Sequence, residues 1–160
     1  MFEQRSALAD AAPSRQRLVL EDYFLGPTRA WGIFQDRFGN LRRQFKVTID
    51  GRWDGRDLVL TEDFLYDDQS IDHRVWRIRK QDDARYQAVA NDVVGLASGT
   101  ASGSSFSWIY DFRLKLGSRI VVVRFDDRMY LQDARTLITR TRVSKIGIEI
   151  GQISMFFRKS

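Results

Sequence analysis

From Thr28 onward, apolar and polar side chains alternate with a period of two, the pattern of strands that bury one face and wet the other. The clearest run is Phe106, Trp108, Tyr110, Phe112, Leu114 and Leu116, interleaved with Ser105, Ser107, Asp111, Arg113 and Lys115. Leu41, Phe45, Val47 and Ile49 alternate with Arg42, Gln44, Lys46 and Thr48. Leu58, Leu60, Phe64 and Tyr66 face away from Thr61, Asp63 and Asp67. Weaker runs cover 73–79, 86–90, 120–125, 135–145 and 146–158. Between them stand Gly39-Asn40, Asp54-Gly55, Asp67-Asp68, Asp82-Asp83 and Gly117-Ser118, pairs that accept positive φ or cap their own turns. No segment sustains a helical period. About 8–10 short-connected strands have an edge problem that closure solves most completely, so the sequence predicts an all-β, closed antiparallel barrel. A β-sandwich is the alternative.

The remaining segments frame that barrel. Residues 1–17 are polar, rich in Ala and Arg, and contain Pro13, which predicts a short helical or disordered leader ahead of one barrel domain over 18–160. Residues 18–24, ending at Gly26-Pro27, predict a short helix or strand closing one end. The run from Gly95 through Gly99 to Gly103 predicts a flexible hairpin or a strongly bent corner. With no Lys-Ser or Lys-Thr after it, that run is no phosphate-binding loop.

Composition narrows the function classes. In a chain of 160 residues, 43% of them hydrophobic, there is enough apolar material for a substantial core. The 26 basic and 21 acidic residues are interleaved, with Arg42, Arg74, Arg113 and Arg128 scattered among acids, so no basic face suits a nucleic acid. With 0 cysteines there is no disulfide, thiolate metal site or cysteine nucleophile. His73 is the only histidine, which excludes a multi-histidine zinc site and predicts an ordinary structural hydrogen bond. The first ten residues lack the apolar run of a secretory signal, and no stretch reaches the roughly 18–20 apolar residues of a membrane helix. The expectation is a soluble, cytoplasmic protein, with the cell envelope as the alternative if a leader is trimmed.

Candidate chemistry lies in charges that share a face with apolar neighbours. Glu62 lies in phase with Leu60 and Phe64, and Arg43 with Leu41 and Phe45. If that face is the lumen, these charges must pair, hydrate or meet a ligand, because an isolated buried charge costs several kcal/mol. Trp31, Trp53, Trp76 and Trp108 supply broad apolar surface for a core or a pocket wall. The predicted ligand-binding set is Trp31, Arg43, Glu62, Phe64, Tyr66, Trp76, Trp108 and Tyr110. No catalytic residue, metal or cofactor is assigned. Asp36, Glu62, Asp63, Asp92, Asp126 and Asp127 lack EF-hand spacing, and Asp126-Asp127 reads as a self-capped turn after a strand. The reading favoured is a non-enzymatic binder of a small hydrophobic or amphiphilic molecule. The alternatives are a structural or protein-interaction module with a filled lumen, and an enzyme using Asp36, Glu62, Asp92 and Asp126 as acid–base groups.

Several longer strings add to this. They are Ala30 to Gly39 (AWGIFQDRFG), Glu62 to Asp68 (EDFLYDD), Arg74-Val75-Trp76, Ala90 to Gly95 (ANDVVG) and Phe125 to Leu131 (FDDRMYL). Together they resemble domain of unknown function 3833, a bacterial family, over about residues 20–159. The resemblance implies a lipocalin-like (calycin-like) barrel, in agreement with the strand reading. It also implies an outer-envelope lipoprotein in many members, whose N-terminal lipobox cysteine has no counterpart in this sequence. It carries over no catalytic or binding residue.

Overall fold

In a computed structural model, which describes residues 16–160, the predicted runs of alternation become strands. They are β1 (Gly26–Asp36), β2 (Leu41–Trp53), β3 (Leu58–Tyr66), β4 (Ile71–Lys80), β5 (Arg85–Ala90), β6 (Val93–Ser102), β7 (Ser105–Leu116), β8 (Arg119–Leu131), β9 (Thr136–Lys145) and β10 (Ile148–Lys159). Each pairs antiparallel with the next. β10 then pairs with β1 from Thr28↔Lys159 to Asp36↔Gly151, which closes the barrel and rules out the two-layer alternative. Residues 1–15, most of the expected leader, lie outside the described residues.

Closure turns alternation into an inside and an outside. Val47 and Ile49, Phe106 to Phe112 at every second position, and Val123 and Phe125 are all buried, while their strand neighbours face outward. The turns use the predicted chemistry. Asp54 Oδ1 accepts the amides of Arg56 and Asp57, and Asp82 Oδ1 accepts those of Ala84 and Arg85.

Two local expectations are corrected. Most of the glycine-rich run is strand β6, whose register slips between Val94 and Ser98 at Gly95, where φ is +70°, and only Gly103, at φ +56°, falls in the β6–β7 hairpin turn. A bulge at Gly95 bends the strand, so the corner reading holds. Asp126-Asp127 is not a turn. Both residues lie inside β8, which runs on to Leu131 because alternation resumes with Met129 and Leu131 pointing in.

A single helical turn, α1 (Leu20–Tyr23), covers one end of the barrel. Leu18, Leu20, Tyr23 and Phe24 are buried there. Glu21 accepts hydrogen bonds from Lys80 Nζ at 2.6 Å and from the Tyr86 hydroxyl at 2.8 Å, and the Tyr23 hydroxyl donates to the Arg135 carbonyl at 3.0 Å. Gly51 makes this docking possible, since a Cβ there would lie 1.6 Å from the Phe24 carbonyl oxygen. Among the described residues no helix is long and apolar enough to cross a membrane.

Candidate functional site

The barrel encloses a cavity of about 220 Å³. Leu20 and Phe24 of the closed end form its floor. Phe64, Trp76, Trp108, Tyr110, Phe112 and Phe125 give its wall an aromatic stretch, and Arg43, Tyr66, Asp72, Asp92, Arg113 and Lys115 stand around its opening. Side chains therefore do not fill the lumen, as the filled-barrel alternative requires.

The aromatic wall is ordered by ring contacts. Trp76 and Trp108 stack at 4.9 Å between centroids, and Tyr110 meets Trp76 edge-on at 5.3 Å. Each stacked indole spends its N–H on a different carboxylate. Trp76 Nε1 donates to Glu62 Oε1 at 2.9 Å, and Trp108 Nε1 donates to Asp127 Oδ2 at 3.2 Å. The Thr141 hydroxyl donates to the other Asp127 oxygen at 3.0 Å.

Enclosure sets the acidity of these groups. Burial pushes the Glu62 carboxyl up to about 7, and neighbouring Asp127 adds to the rise against the opposing pull of Arg74 and the Trp76 N–H. Burial likewise raises Asp127 to about 6, despite the hydrogen bonds from Thr141 and Trp108. The Tyr110 hydroxyl, also held by burial, stays neutral far above its ordinary range.

Arg74 is placed directly opposite Glu62 by the β3–β4 register. It is only 8% exposed, and its Cζ lies 4.9 Å from the Phe64 ring centroid and 4.6 Å from that of Phe112. The carboxylates of Asp72 and Asp92 are 3.5 and 3.8 Å from its Nη2. Among the described residues its Nε is buried without a hydrogen-bond partner.

Seven of the eight predicted ligand residues line this one cavity: Arg43, Glu62, Phe64, Tyr66, Trp76, Trp108 and Tyr110. Trp31 does not. It is 42% exposed on the outer surface against Phe156, because the inner face of β1 presents Ala30 and Gly32, over which the Phe45 ring lies. Trp53 is outside as well, at 46% exposure. Of the four carboxylates considered for acid–base work, Glu62 and Asp92 line the cavity; Asp36 caps its own turn by accepting the amides of Phe38 and Asn40, and Asp126 pairs with Arg128 at 3.4 Å. His73 bonds Asp63 on the outer face through Nδ1 at 2.6 Å. Among the described residues no three His, Cys, Asp or Glu side chains gather as a metal site. Sequence reasoning passed over Arg74 and Asp127, although both share strand phase with lumenal residues: Arg74 with Trp76 and Ile78, Asp127 with Phe125 and Met129.

The comparisons with known proteins bear on the fold. A family described as "Protein of unknown function (DUF3833)" matches residues 3–159. No curated protein matches. The S-type phycobiliprotein lyase from Guillardia theta superposes with a TM-score of 0.64 at 9% identity, over 90% of this chain and 94% of the lyase. A protein of unknown function from the DUF3598 family of Nostoc punctiforme superposes with a TM-score of 0.66 at 13% identity, over 91% of this chain; the chain spans about half, 51%, of that protein. At such identities the barrel architecture is what is shared.

Proposed function

The chain belongs to the DUF3833 family, and from that premise we propose that its barrel is a non-enzymatic binder of a small hydrophobic or amphiphilic molecule held in the lumen. The observation that carries this reading is an unfilled, aromatic-walled cavity with a short belt of polar groups, the composition expected of a small-molecule site. Its volume, about 220 Å³, falls below the roughly 300–1,000 Å³ of pockets that take drug-sized ligands. The guest is therefore slim, or is enclosed in part and extends through the opening. Trp76, Trp108, Tyr110 and Phe112 contact its apolar body, and Arg43 and Tyr66 flank its way in. Apolar burial supplies the affinity, at about 25 cal/mol per Å² of surface removed from water before the costs of association.

The phycobiliprotein lyase shares the barrel architecture at 9% identity, and fold alone carries no lyase reaction over to this chain. The test is native mass spectrometry of delipidated protein against panels of fatty acids and isoprenoids. Retention of one class at stoichiometric ratio supports the reading; absence of any retained molecule across both panels contradicts it.

A further inference from the structure

Among the described residues, Arg74 is the charged lumenal side chain that holds a buried polar atom without a hydrogen-bond partner. A guanidinium offers five N–H donors in a planar fork and cannot lose its charge, so a buried arginine normally has its donors matched by acceptors. Here the nearest carboxylate oxygens, at 3.5 Å on Asp72 and 3.8 Å on Asp92, are too distant for hydrogen bonds of ordinary length. Among the described residues only two buried side-chain polar atoms lack a partner, the Thr28 hydroxyl and Arg74 Nε, and only Arg74 lines the cavity. Leaving a buried donor unmatched is unfavourable, and a charged one more so. The other charged groups at this depth differ: Glu62 and Asp127 already accept hydrogens from Trp76, Trp108 and Thr141.

We infer that Arg74 seats the head group of the lumenal guest, and that this head is an oxyanion, a carboxylate or a phosphate monoester, received in the plane of the guanidinium. This rests on the lumenal-binder reading and deepens it from amphiphile to anionic amphiphile. Two further observations agree. At the opening Arg43, Arg113 and Lys115 outnumber Asp72 and Asp92, a balance that favours the approach of an anion. The deeper acid Glu62, raised by burial to about 7, is only partly ionised at neutral pH, which lessens its repulsion of an anionic head. Bidentate, charge-assisted hydrogen bonds from a fork to a planar carboxylate are stronger than neutral ones and fix orientation. The tail then lies along the Trp76–Trp108 wall toward Phe24.

Four probes with the same ten-carbon chain separate head from tail: decanoate, decyl phosphate, decan-1-ol and decylamine, titrated calorimetrically into delipidated full-length protein. The expected result is that at least one of the two anions binds about tenfold or more tighter than both the alcohol and the amine, the scale of hydrogen bonds to a charged group. The tighter anion identifies the head. In Arg74→Gln that advantage falls to within about twofold while decan-1-ol affinity stays unchanged, and Arg74→Lys, which keeps the charge but loses the fork, falls between. Alcohol or amine binding as tightly as the anions overturns the inference and leaves the lumenal reading intact. Failure of all four probes to bind overturns both. An anion advantage that survives in Arg74→Gln also overturns the assignment, and the four-probe comparison on the unaltered protein decides the head class even if a variant does not fold.

Discussion

The floor of this barrel and the middle of its lumen treat polar groups in opposite ways. At the floor Glu21 receives Lys80 and Tyr86, Tyr23 reaches the Arg135 carbonyl, Lys159 Nζ donates to the Asp22 carbonyl at 2.7 Å, and the Phe24 carbonyl occupies space that only Gly51 leaves free. In the lumen, aromatic walls surround carboxyls raised by burial and an arginine whose Nε has no partner among the described residues. The floor sets α1 against inward strand residues such as Gly51 and Tyr86, the lumen is lined by inward strand residues too, and both are buried, so the difference is not one of burial alone. It separates polar groups that hold the fold together from polar groups that the fold leaves open to something else.

The comparison is broken most severely at Gly51. Gly51→Ala places a methyl against the Phe24 carbonyl oxygen and forces α1 off the barrel end, with an expected loss of about 4 kcal/mol or more, read by urea denaturation. A loss below about 1 kcal/mol shows that the helix does not need this close approach.

The next largest effect separates the regions by the sign of their pH dependence. Glu62 titrates near 7 in the folded protein against an ordinary value of 4.5, so between those limits the folded state holds a proton that the unfolded chain has released. Its contribution is present at low pH and is lost as pH rises through about 7, on the order of 3 kcal/mol at most, and Glu62→Gln flattens that slope. Glu21 slopes the other way. Burial acts against its charge, but hydrogen bonds from Lys80 and Tyr86 prevail and hold its carboxyl below the usual range. Its stabilisation is therefore present at neutral pH and fades as pH falls. Denaturation midpoints of the two glutamine variants from pH 2.5 to 8 check both signs, Glu21 below about 4.5 and Glu62 between about 4.5 and 7, and parallel slopes for the two would erase the distinction.

Smaller effects sharpen it. Glu21→Gln costs about 1 kcal/mol at neutral pH, since the pair with Lys80 is partly exposed. Arg74→Met removes an unmatched donor but also the counter-charge of Asp72 and Asp92, so its net cost is expected to stay within about 1 kcal/mol. Thermal melting checks both. Marked destabilisation by Arg74→Met would place Arg74 with the frame rather than with the guest.

Strand phase made most of this legible from residues alone. The run Phe106 to Phe112 and the placement of Glu62 beside Phe64 follow from a period of two, and closure follows from the need to pair the last edge. The same rule covers Arg74 and Asp127. They were overlooked because Arg74 stands among other basic residues of β4, and because Asp126-Asp127 imitates a turn. Trp31 shows the converse: size suggested an inward role, yet its phase with Arg29 and Ile33 sets it outside. What phase cannot supply is depth and pairing across the barrel. That the indoles of Trp76 and Trp108 stack and serve separate carboxyls depends on registers between β3, β4, β7 and β8 that no local pattern encodes.

The four tryptophans also provide the most direct test of a lumenal guest. Trp76 and Trp108 face the cavity, while Trp31 and Trp53 lie outside it. In ¹⁵N-resolved NMR of the delipidated protein titrated with decanoate, the indole N–H signals of Trp76 and Trp108 are expected to shift together and saturably, and those of Trp31 and Trp53 to stay in place. Shifts confined to Trp31 and Trp53 would mean that the guest sits on the outer wall, and the lumen would lose its claim to be the site.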